Sequence, residues 1–439
     1  MNDESHMEGR ASVLRMAWLV VGLLWPVALL NYLDRQMLAA MKFSVMADVP
    51  TIGSEANWGY LPALFKWVYA GLSPLGGYIA DRFSRRHVIG ASLLVWSLVT
   101  WATGHAHTFD QLKLTRALMG ISEACYFPAA LALIADFHVG QTRSRAVGIH
   151  QMAIYTGVII GGFSGHVADD PHLGWRFAFG AAGLVGAVYA LPLLVLLPRP
   201  PRQAPREITR EIPARPSPGI ALGELLRNGS FLLLLLYFTL PGLPGWVVRD
   251  WMPAILKQEF NIGQGQAGVS ATLYVSSGSL FGAALGGWLA DRWMRRSNRG
   301  RILISLLGVS LLIPALFGVG NALSLQMAIV FLFLFGLGWG VFDTNNMPIL
   351  CQIVRPELRA TGYGMMNLCG ISCGGFADWG FGALRDHKVP LPIVFGVFAS
   401  FALVAILLVL FIRPRDTTAG PIDGSKPAAS DPQQPATGS

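Results

Sequence analysis

Apolar residues follow one another along this chain in runs of roughly 20 to 30, separated by short charged segments. No run shows the alternation of apolar and polar residues that predicts a half-buried strand. Runs of this length are typical of membrane-crossing helices, because lipid offers backbone N–H and C=O groups no partner outside their own helix. We place the twelve runs at 14–41, 58–80, 88–106, 111–136, 144–168, 173–197, 228–258, 266–290, 301–321, 323–352, 359–384 and 390–412.

The composition supports this interpretation. Of the 439 residues, 53% are hydrophobic and only 13% are charged, whereas a soluble domain carries about 25% charged residues. Twelve helices of about 20 residues need about 240 apolar positions, and 53% of 439 is about 233. The composition excludes a secreted disulfide-rich domain, a disordered chain, a nucleic-acid-binding domain and an ordinary cytosolic enzyme.

Basic residues alternate between the two ends of the predicted helices. The loops at one end, the Arg-rich face, hold Arg82, Arg85, Arg86, Arg143, Arg145, Arg292, Arg295, Arg296, Arg299, Arg355 and Arg359, with six more arginines in 198–227. The loops at the other end, the Arg-poor face, hold Lys113, Arg176, Lys257, Arg385 and Lys388. The positive-inside rule predicts that the Arg-rich face and both termini are cytoplasmic, in a cell inner (plasma) membrane.

These patterns divide the chain into two predicted helical bundles with connecting segments. The first run lacks a small-residue cleavage site, so we expect it to stay as a membrane helix and not to act as a signal peptide. The tail after Arg413 is rich in Pro, Ala, Gly, Ser and Asp and is predicted to be disordered. The predicted divisions are a cytoplasmic tail at 1–13, a six-helix bundle at 14–197, a cytoplasmic loop at 198–227, a second six-helix bundle at 228–412 and a disordered tail at 413–439.

The two halves contain an internal repeat. The segment GGYIADRFSRR at 76–86 returns as GGWLADRWMRR at 286–296, and RSRAVG at 143–148 has a weaker counterpart in ELRATG at 357–362. Two six-helix halves joined by a long loop are typical of parallel-repeat transporters, whose substrate site lies between the halves near the bilayer midplane. The fold class predicted is therefore all-α integral membrane, with twelve transmembrane helices in two six-helix pseudo-symmetric bundles.

The repeated segment and the twelve-helix layout resemble the major facilitator superfamily over about residues 14–412, with Ser84 where that loop usually has Gly. The resemblance implies that this motif latches the halves together in the outward-facing state. Gly77 would permit close helix packing, and Asp81 could accept from the N-terminus of a neighbouring helix. The conformational gating residues predicted are Gly77, Asp81, Arg82, Arg85, Arg86, Asp291 and Arg292.

Several ionisable residues lie inside the apolar runs, where each costs about 2.5–3.5 kcal/mol unless it is paired or faces water. They are Asp34, Arg35, Lys66, Arg116, Glu123, Arg249, Asp250 and Asp343. Arg116 and Glu123 are seven residues apart, about 10 Å along one helix face, so they cannot form a tight pair. Asp34 is the natural partner for Arg116. Glu123 is suited to carry a proton, although a structural hydrogen bond to a neighbouring helix is the alternative.

The segment NYLDRQ and the stretch from Arg116 to Ala129 (R-x-x-x-G-x-x-E-A-x-x-F-P-A) resemble the anion:cation symporter group of this superfamily, which moves sugar acids with protons. The resemblance implies protonation sites at Asp34 and Glu123 and a substrate carboxylate held by Arg35. Arg116 would serve proton coupling as the partner of Asp34. Lys66 and Arg249 add positive charge, which favours an anionic ligand. We therefore expect a proton-coupled symporter of a small organic anion, a hexuronate or aldonate.

A second resemblance competes with the first. The stretches LFKWVYAGLSPLGGYIADRFSRR, WSLVTWATG, LTRALMGISEACY and LIADFHVGQTRSR are similar to spinster-type transporters of lysophospholipids and related lipids. The intramembrane Asp, Arg and Glu residues are common to both groups, so they do not discriminate. A spinster-like lipid transporter is the alternative function.

Polar residues from both halves are candidate substrate ligands. Amides can both donate to and accept from sugar hydroxyls, although a single intramembrane Asn often serves only a contact between helices. The candidates are Tyr32, Gln151, Tyr155, Trp246, Asn345, Asn346 and Asn367, in addition to Arg35, Lys66 and Arg249. The predicted partners are the substrate, protons and the bilayer, with no nucleic acid. We predict a monomer without catalytic residues, cofactor or metal.

Overall fold

The computed structural model describes residues 2–138, 141–198 and 218–414, and these ranges contain helices and no strand. We number the long helices α1 to α12. They are α1 (Asn2–Ala40), α2 (Glu55–Arg82), α3 (Arg85–Thr103), α4 (Phe109–Phe137), α5 (Gln141–Asp169), α6 (Gly174–Leu196), α7 (Gly229–Phe260), α8 (Gln264–Met294), α9 (Gly300–Gly320), α10 (Leu325–Ile353), α11 (Arg359–Asp386) and α12 (Leu391–Leu410).

The all-helical class and the twelve long helices are confirmed. Nine of the helices in the described ranges are long and apolar enough to cross a membrane by length and composition alone. The other three are α2, α3 and α11. Every apolar run predicted from the sequence coincides with one long helix.

Some boundaries differ from the sequence predictions. Helix α1 begins at Asn2, inside the segment predicted as a tail. A short helix, Pro218–Arg227, ends the predicted central loop, and another, Lys42–Asp48, follows α1. The rest of that loop and the predicted C-terminal disorder lie almost entirely outside the described residues.

Helices α1–α6 and α7–α12 form two bundles, and α2 packs on α11 and α5 on α8 between them. The cross-bundle contacts lie in the Arg-poor half. There the backbone of Gly162 in α5 lies against that of Gly268 in α8, and an added Cβ at Gly162 would be 2.8 Å from the Gly268 carbonyl oxygen. Asp386, at the end of α11, accepts hydrogen bonds from the Glu55 and Ala56 amides at 2.8 and 2.9 Å. The two halves are therefore closed together at the Arg-poor face.

A break in α4 separates Phe109–Glu123 from Tyr126–Phe137. Pro128 has no N–H to give to the Ala124 carbonyl four residues earlier, which weakens the helix at this point. The Ala124 carbonyl lies against Gly76 of α2, where an added Cβ would be 2.3 Å from it, whereas a Cβ at Gly77 would have nothing within 4 Å. The packing role predicted for Gly77 therefore belongs to its neighbour Gly76.

Replacing Gly268 by Ala is expected to lower the free energy of unfolding by about 1–3 kcal/mol, the usual cost of overpacking. The new Cβ would lie 2.2 Å from the Gly162 carbonyl oxygen, so one backbone must move. Thermal unfolding in detergent measures the change. The matched control is Gly71→Ala in α2, where a Cβ meets nothing within 4 Å and Ala should stabilise the helix by about 0.5–1 kcal/mol. Equal effects of the two substitutions would contradict the close contact.

Candidate functional site: a charged cavity between the two bundles

A cavity of about 260 Å³ lies between the bundles, with walls from α1, α2, α4 and α5 on one side and α7, α10 and α11 on the other. Two smaller chambers, of about 80 and 40 Å³, adjoin it. Trp246 and Arg249 line all three spaces, so we treat them together as the central cavity.

Most of the predicted ligand residues meet in this cavity. The residues on its wall that the sequence predicted are Tyr32, Arg35, Lys66, Gln151, Tyr155, Trp246, Arg249 and Asn367. Asn345 and Asn346 are not among them. Both are almost fully buried, and the Asn345 amide donates to Val341 O of its own helix at 2.9 Å. Their predicted substrate contact is corrected, because the rotation of α10 turns these two side chains away from the cavity.

Arg35 and Glu123 form an ion pair between α1 and α4. The Arg35 guanidinium donates from Nε and Nη2 to Glu123 Oε2 at 2.8 and 2.5 Å. The Arg35 side chain is 19% exposed and lines the cavity, whereas the Glu123 side chain is fully buried behind it. The rings of Tyr32, Phe65 and Tyr69 lie 4.7–5.1 Å from the guanidinium carbon and add cation–π attraction. In this structure Arg35 is therefore engaged by Glu123.

The predicted partnership of Arg116 with Asp34 is wrong as a direct contact. Arg116 Nη2 donates to Thr103 Oγ1 at 2.7 Å, and Asp34 Oδ2 accepts from Thr100 at 2.8 Å. Arg116 and Asp34, which were predicted to pair with each other, each bind a threonine hydroxyl of α3 instead. Asp34 Oδ1, Arg116 Nε and Glu123 Oε1 are buried and have no hydrogen-bond partner among the described residues. This leaves buried acceptors on both carboxylates where a proton could bind.

Lys66 of α2 is held between two carboxylates of the other bundle, Asp250 of α7 and Asp378 of α11. The Lys66 side chain is 4% exposed, Asp250 is 15% exposed and Asp378 is fully buried. Lys66 therefore does not offer free positive charge to an anionic ligand, which corrects the prediction. Asp378 is not among the intramembrane charges selected from the sequence, although it lies inside the apolar run 359–384 that forms α11.

Arg249 is the contrasting case. Its guanidinium carbon lies 5.2 Å from the Trp246 ring centre and 5.9 Å from that of Tyr32. Among the described residues it forms no ion pair. Asp343, exposed in the same cavity, has no ion-pair partner in the described part of the chain either. Arg249 can thus meet an anion without first giving up a carboxylate.

The predicted gating residues lie at the Arg-rich face. Arg85 pairs with Asp136 of its own bundle, and in the second copy of the motif Asp291 accepts from Arg301 at 2.9 Å. Arg292 lies 6.0 Å from the ring centre of Trp288. Arg82 is exposed, and Arg86 Nε is buried without a partner in the described ranges. The side chain of Asp81 lies outside the described residues, so its predicted role stays a prediction.

The profile of the Major Facilitator Superfamily matches residues 24–378. The chain belongs to the Major Facilitator Superfamily. The protein is therefore a secondary transporter of this superfamily, as the repeat and the twelve helices predicted. A match of this extent also confirms the two-bundle fold class.

Three relatives indicate which members of the superfamily this chain resembles. Human protein spinster homolog 1 is 30% identical over 367 residues, which cover 78% of this chain and 68% of that protein. An MFS-type efflux pump of Mycolicibacterium smegmatis is 29% identical over 386 residues, 85% of each chain. The mouse sphingosine-1-phosphate transporter is 25% identical over 357 residues, 77% of this chain and 64% of that protein. These similarities favour the spinster-like alternative over the sugar-acid prediction.

A solved structure supports the fold. The crystal structure of a bacterial homolog of the human lysosomal transporter Spinster, inward-facing and occupied, superposes with a TM-score of 0.74. The two sequences are 19% identical, and the match covers 90% of this chain and 96% of that one. At this identity the likeness concerns the fold alone.

Proposed function

We propose that this protein is a proton-coupled transporter of an anionic amphiphile, a lysophospholipid in its simplest form, that works by alternating access. The observation that carries the proposal is the guanidinium of Arg249, which faces the central cavity without an ion-pair partner among the described residues. Trp246 and Trp339 stand beside it. Positive charge next to an apolar wall suits a ligand with an anionic head and a hydrocarbon tail.

The head and the tail would occupy different parts of the cavity. A guanidinium can donate two parallel hydrogen bonds to one phosphate, which makes Arg249 a suitable headgroup ligand. The adjoining chamber has a mostly apolar wall that includes Val158, Val275 and Phe335, where the first methylene groups of a hydrocarbon tail would be sheltered from water. A sugar acid would need hydroxyl partners on several sides, and the burial of Asn345 and Asn346 removes two of those predicted for it.

Proton coupling follows from the competition for Arg35. While Glu123 is ionised, it accepts both hydrogen bonds from the Arg35 guanidinium. A proton on Glu123 weakens this pair and lets Arg35 turn its charge to an anion in the cavity. Deprotonation restores the pair and displaces the anion. Asp34, the residue before Arg35 in α1, is the second proposed protonation site.

We assign the Arg-rich face to the cytoplasm of the inner (plasma) membrane by the positive-inside rule. With that orientation, the contacts at the Arg-poor face close the transporter on the side away from the cytoplasm. The relatives named above, a sphingosine-1-phosphate transporter among them, support an amphiphilic substrate.

Lysophosphatidylglycerol is expected to raise the unfolding temperature of the detergent-solubilised protein, and Arg249→Gln should weaken this effect. Losing a charge-assisted hydrogen bond costs about 1.5–3 kcal/mol, so the concentration for half-maximal stabilisation should rise about 10- to 100-fold. A thermal-shift titration of both proteins measures it, with glucuronate as the competing candidate ligand.

The matched control is Arg385→Gln, because Arg385 lies at the Arg-poor face and is not on the wall of the cavity. Its titration should follow that of the unmodified protein. Stabilisation by glucuronate alone would favour the sugar-acid function instead. An unchanged lysophosphatidylglycerol response in Arg249→Gln would remove Arg249 from the site.

A further inference from the structure

The cluster of Lys66, Asp250 and Asp378 is not used by the mechanism above, although it joins the two bundles beside the cavity. We propose that Asp250 and Asp378 form a further proton-binding site, separate from Glu123 and Asp34, with Lys66 as its counter-cation, and that one proton binds there when the Arg-poor face opens. This inference rests on alternating access but not on the identity of the substrate.

The charge balance of the cluster supports the proposal. Both carboxylates contact the same Lys66 nitrogen, so a single positive charge serves two negative charges. Asp378 is fully buried, and its Oδ1 has no hydrogen-bond partner among the described residues. An excess charge in such surroundings is costly, and a carboxylate commonly removes the cost by taking up a proton. That free oxygen gives the proton a place to bind.

Other charged groups around the cluster modulate this affinity without replacing the site. Lys66 and Asp250 line the same small chamber as Arg35, Arg116 and Arg249, which come from α1, α4 and α7. These guanidiniums stabilise the ionised carboxylates. Asp343 is a carboxylate on the wall of the main cavity, Glu123 and Asp34 lie behind that wall, and Lys42 pairs with Glu55 toward the Arg-poor face.

The position of the cluster ties its charge to the movement of the bundles. Lys66 belongs to the first bundle and both carboxylates to the second, among the contacts that hold the Arg-poor face closed. When α2 separates from α7 and α11, Lys66 must leave at least one carboxylate. Separating a buried ion pair is unfavourable because it leaves an uncompensated charge. A proton that replaces Lys66 on the abandoned carboxylate offsets this cost.

Asp250 also provides a route for the proton. Its side chain is 15% exposed and lines the small chamber, which shares Arg35, Trp246 and Arg249 with the main cavity. A proton from the cavity can reach Asp250 first and Asp378 behind it. The Trp246 ring lies 4.2 Å from Lys66 Nζ and holds the ammonium in place by cation–π attraction.

Spin labels at the Arg-poor face can test this without any substrate. We would replace Cys125, Cys351, Cys369 and Cys373 by Ser, add Asp34→Asn and Glu123→Gln, and label cysteines introduced at His172 and Leu323, exposed loop positions on opposite bundles. Pulsed electron–electron double resonance then gives the distances between the two labels, and therefore between the bundles. The quantity to follow is the population with the open distance divided by the population with the closed distance. When the pH falls from about 8 to about 5, this ratio should rise by up to about tenfold per pH unit, which is the limit for one proton.

Lys66→Met combined with Asp250→Asn and Asp378→Asn should make this ratio independent of pH, because no carboxylate of the cluster then remains to take up the proton. This variant leaves no uncompensated charge in the cluster, so folding should be retained. Asp110→Asn, at an exposed carboxylate paired only with Lys113, is the control that should keep the pH response. A response that survives in the variant without the three charges would overturn the proposal, as would a flat ratio with the cluster intact. Neither result depends on lysophospholipid transport, so the two proposals can fail separately.

Discussion

Glu123→Gln is expected to abolish accumulation of lysophospholipid driven by a pH gradient. A transporter that moves one proton with its substrate can build a gradient of about tenfold per pH unit, since one pH unit corresponds to about 1.36 kcal/mol. Gln keeps the size of Glu123 and resembles its protonated form, but it cannot release a proton, so the substrate should only equilibrate. Uptake into proteoliposomes with an imposed pH gradient measures the accumulation ratio.

Two comparisons make this result specific. Glu224→Gln changes a partly exposed carboxylate that pairs with Arg355 near the Arg-rich face, and it should accumulate substrate normally. Exchange of labelled for unlabelled substrate needs no net proton movement, so Glu123→Gln should retain it if the protein is folded. Normal accumulation by Glu123→Gln would exclude Glu123 as the proton carrier.

Lys66→Ala is expected to lower the free energy of unfolding by about 3–5 kcal/mol, the usual cost of breaking a buried ion pair on one side. The substitution leaves Asp250 and the fully buried Asp378 facing each other without a cation. Chemical or thermal unfolding in detergent at neutral pH measures the loss.

Removing all three charges should restore much of this stability, because no uncompensated carboxylate then remains. The variant for this comparison is Lys66→Met with Asp250→Asn and Asp378→Asn. Lys113→Ala is the matched single change, since Lys113 pairs only with the exposed Asp110 and such pairs contribute about 0–1 kcal/mol. If Lys66→Ala and Lys113→Ala were equally stable, the cluster would not hold the bundles together.

The fold could be predicted from the sequence because its main signals are local. One apolar run predicts each helix. The repeat of 76–86 at 286–296 indicates the two halves without knowledge of any contact. The cost of charge in lipid is also a property of single positions, and for that reason Arg35, Lys66, Glu123 and Arg249 could be selected in advance.

The pairing of those charges could not be predicted. Asp34 and Arg35 are adjacent on α1 and point about 100° apart, so a small rotation of the helix decides which of them meets α4. The structure gives Glu123 to Arg35 and a threonine hydroxyl to Asp34. The same limit applies to Asn345 and Asn346, because no local pattern fixes the rotation of α10.

Asp378 shows a different limit. It lies 312 residues from Lys66, in the other half of the chain, and only the packing of α2 on α11 brings them together. The sequence predicts Lys66 as free positive charge for a ligand, and the structure gives it two carboxylates. A group's charge can be read from sequence, but its neutralisation depends on tertiary contacts.

The first two amides of α2 donate hydrogen bonds to Asp386 of the other bundle, and these bonds link the order of the helix start to the state of the transporter. A helix leaves its first four N–H groups without partners inside the helix, and a side chain that satisfies them contributes about 0.5–2 kcal/mol. Here two of these N–H groups are satisfied by the opposite bundle. When the Arg-poor face parts, the start of α2 loses this cap and frays more readily. The rate of hydrogen exchange at the Glu55 and Ala56 amides should therefore report how often the closed face opens, without any added label.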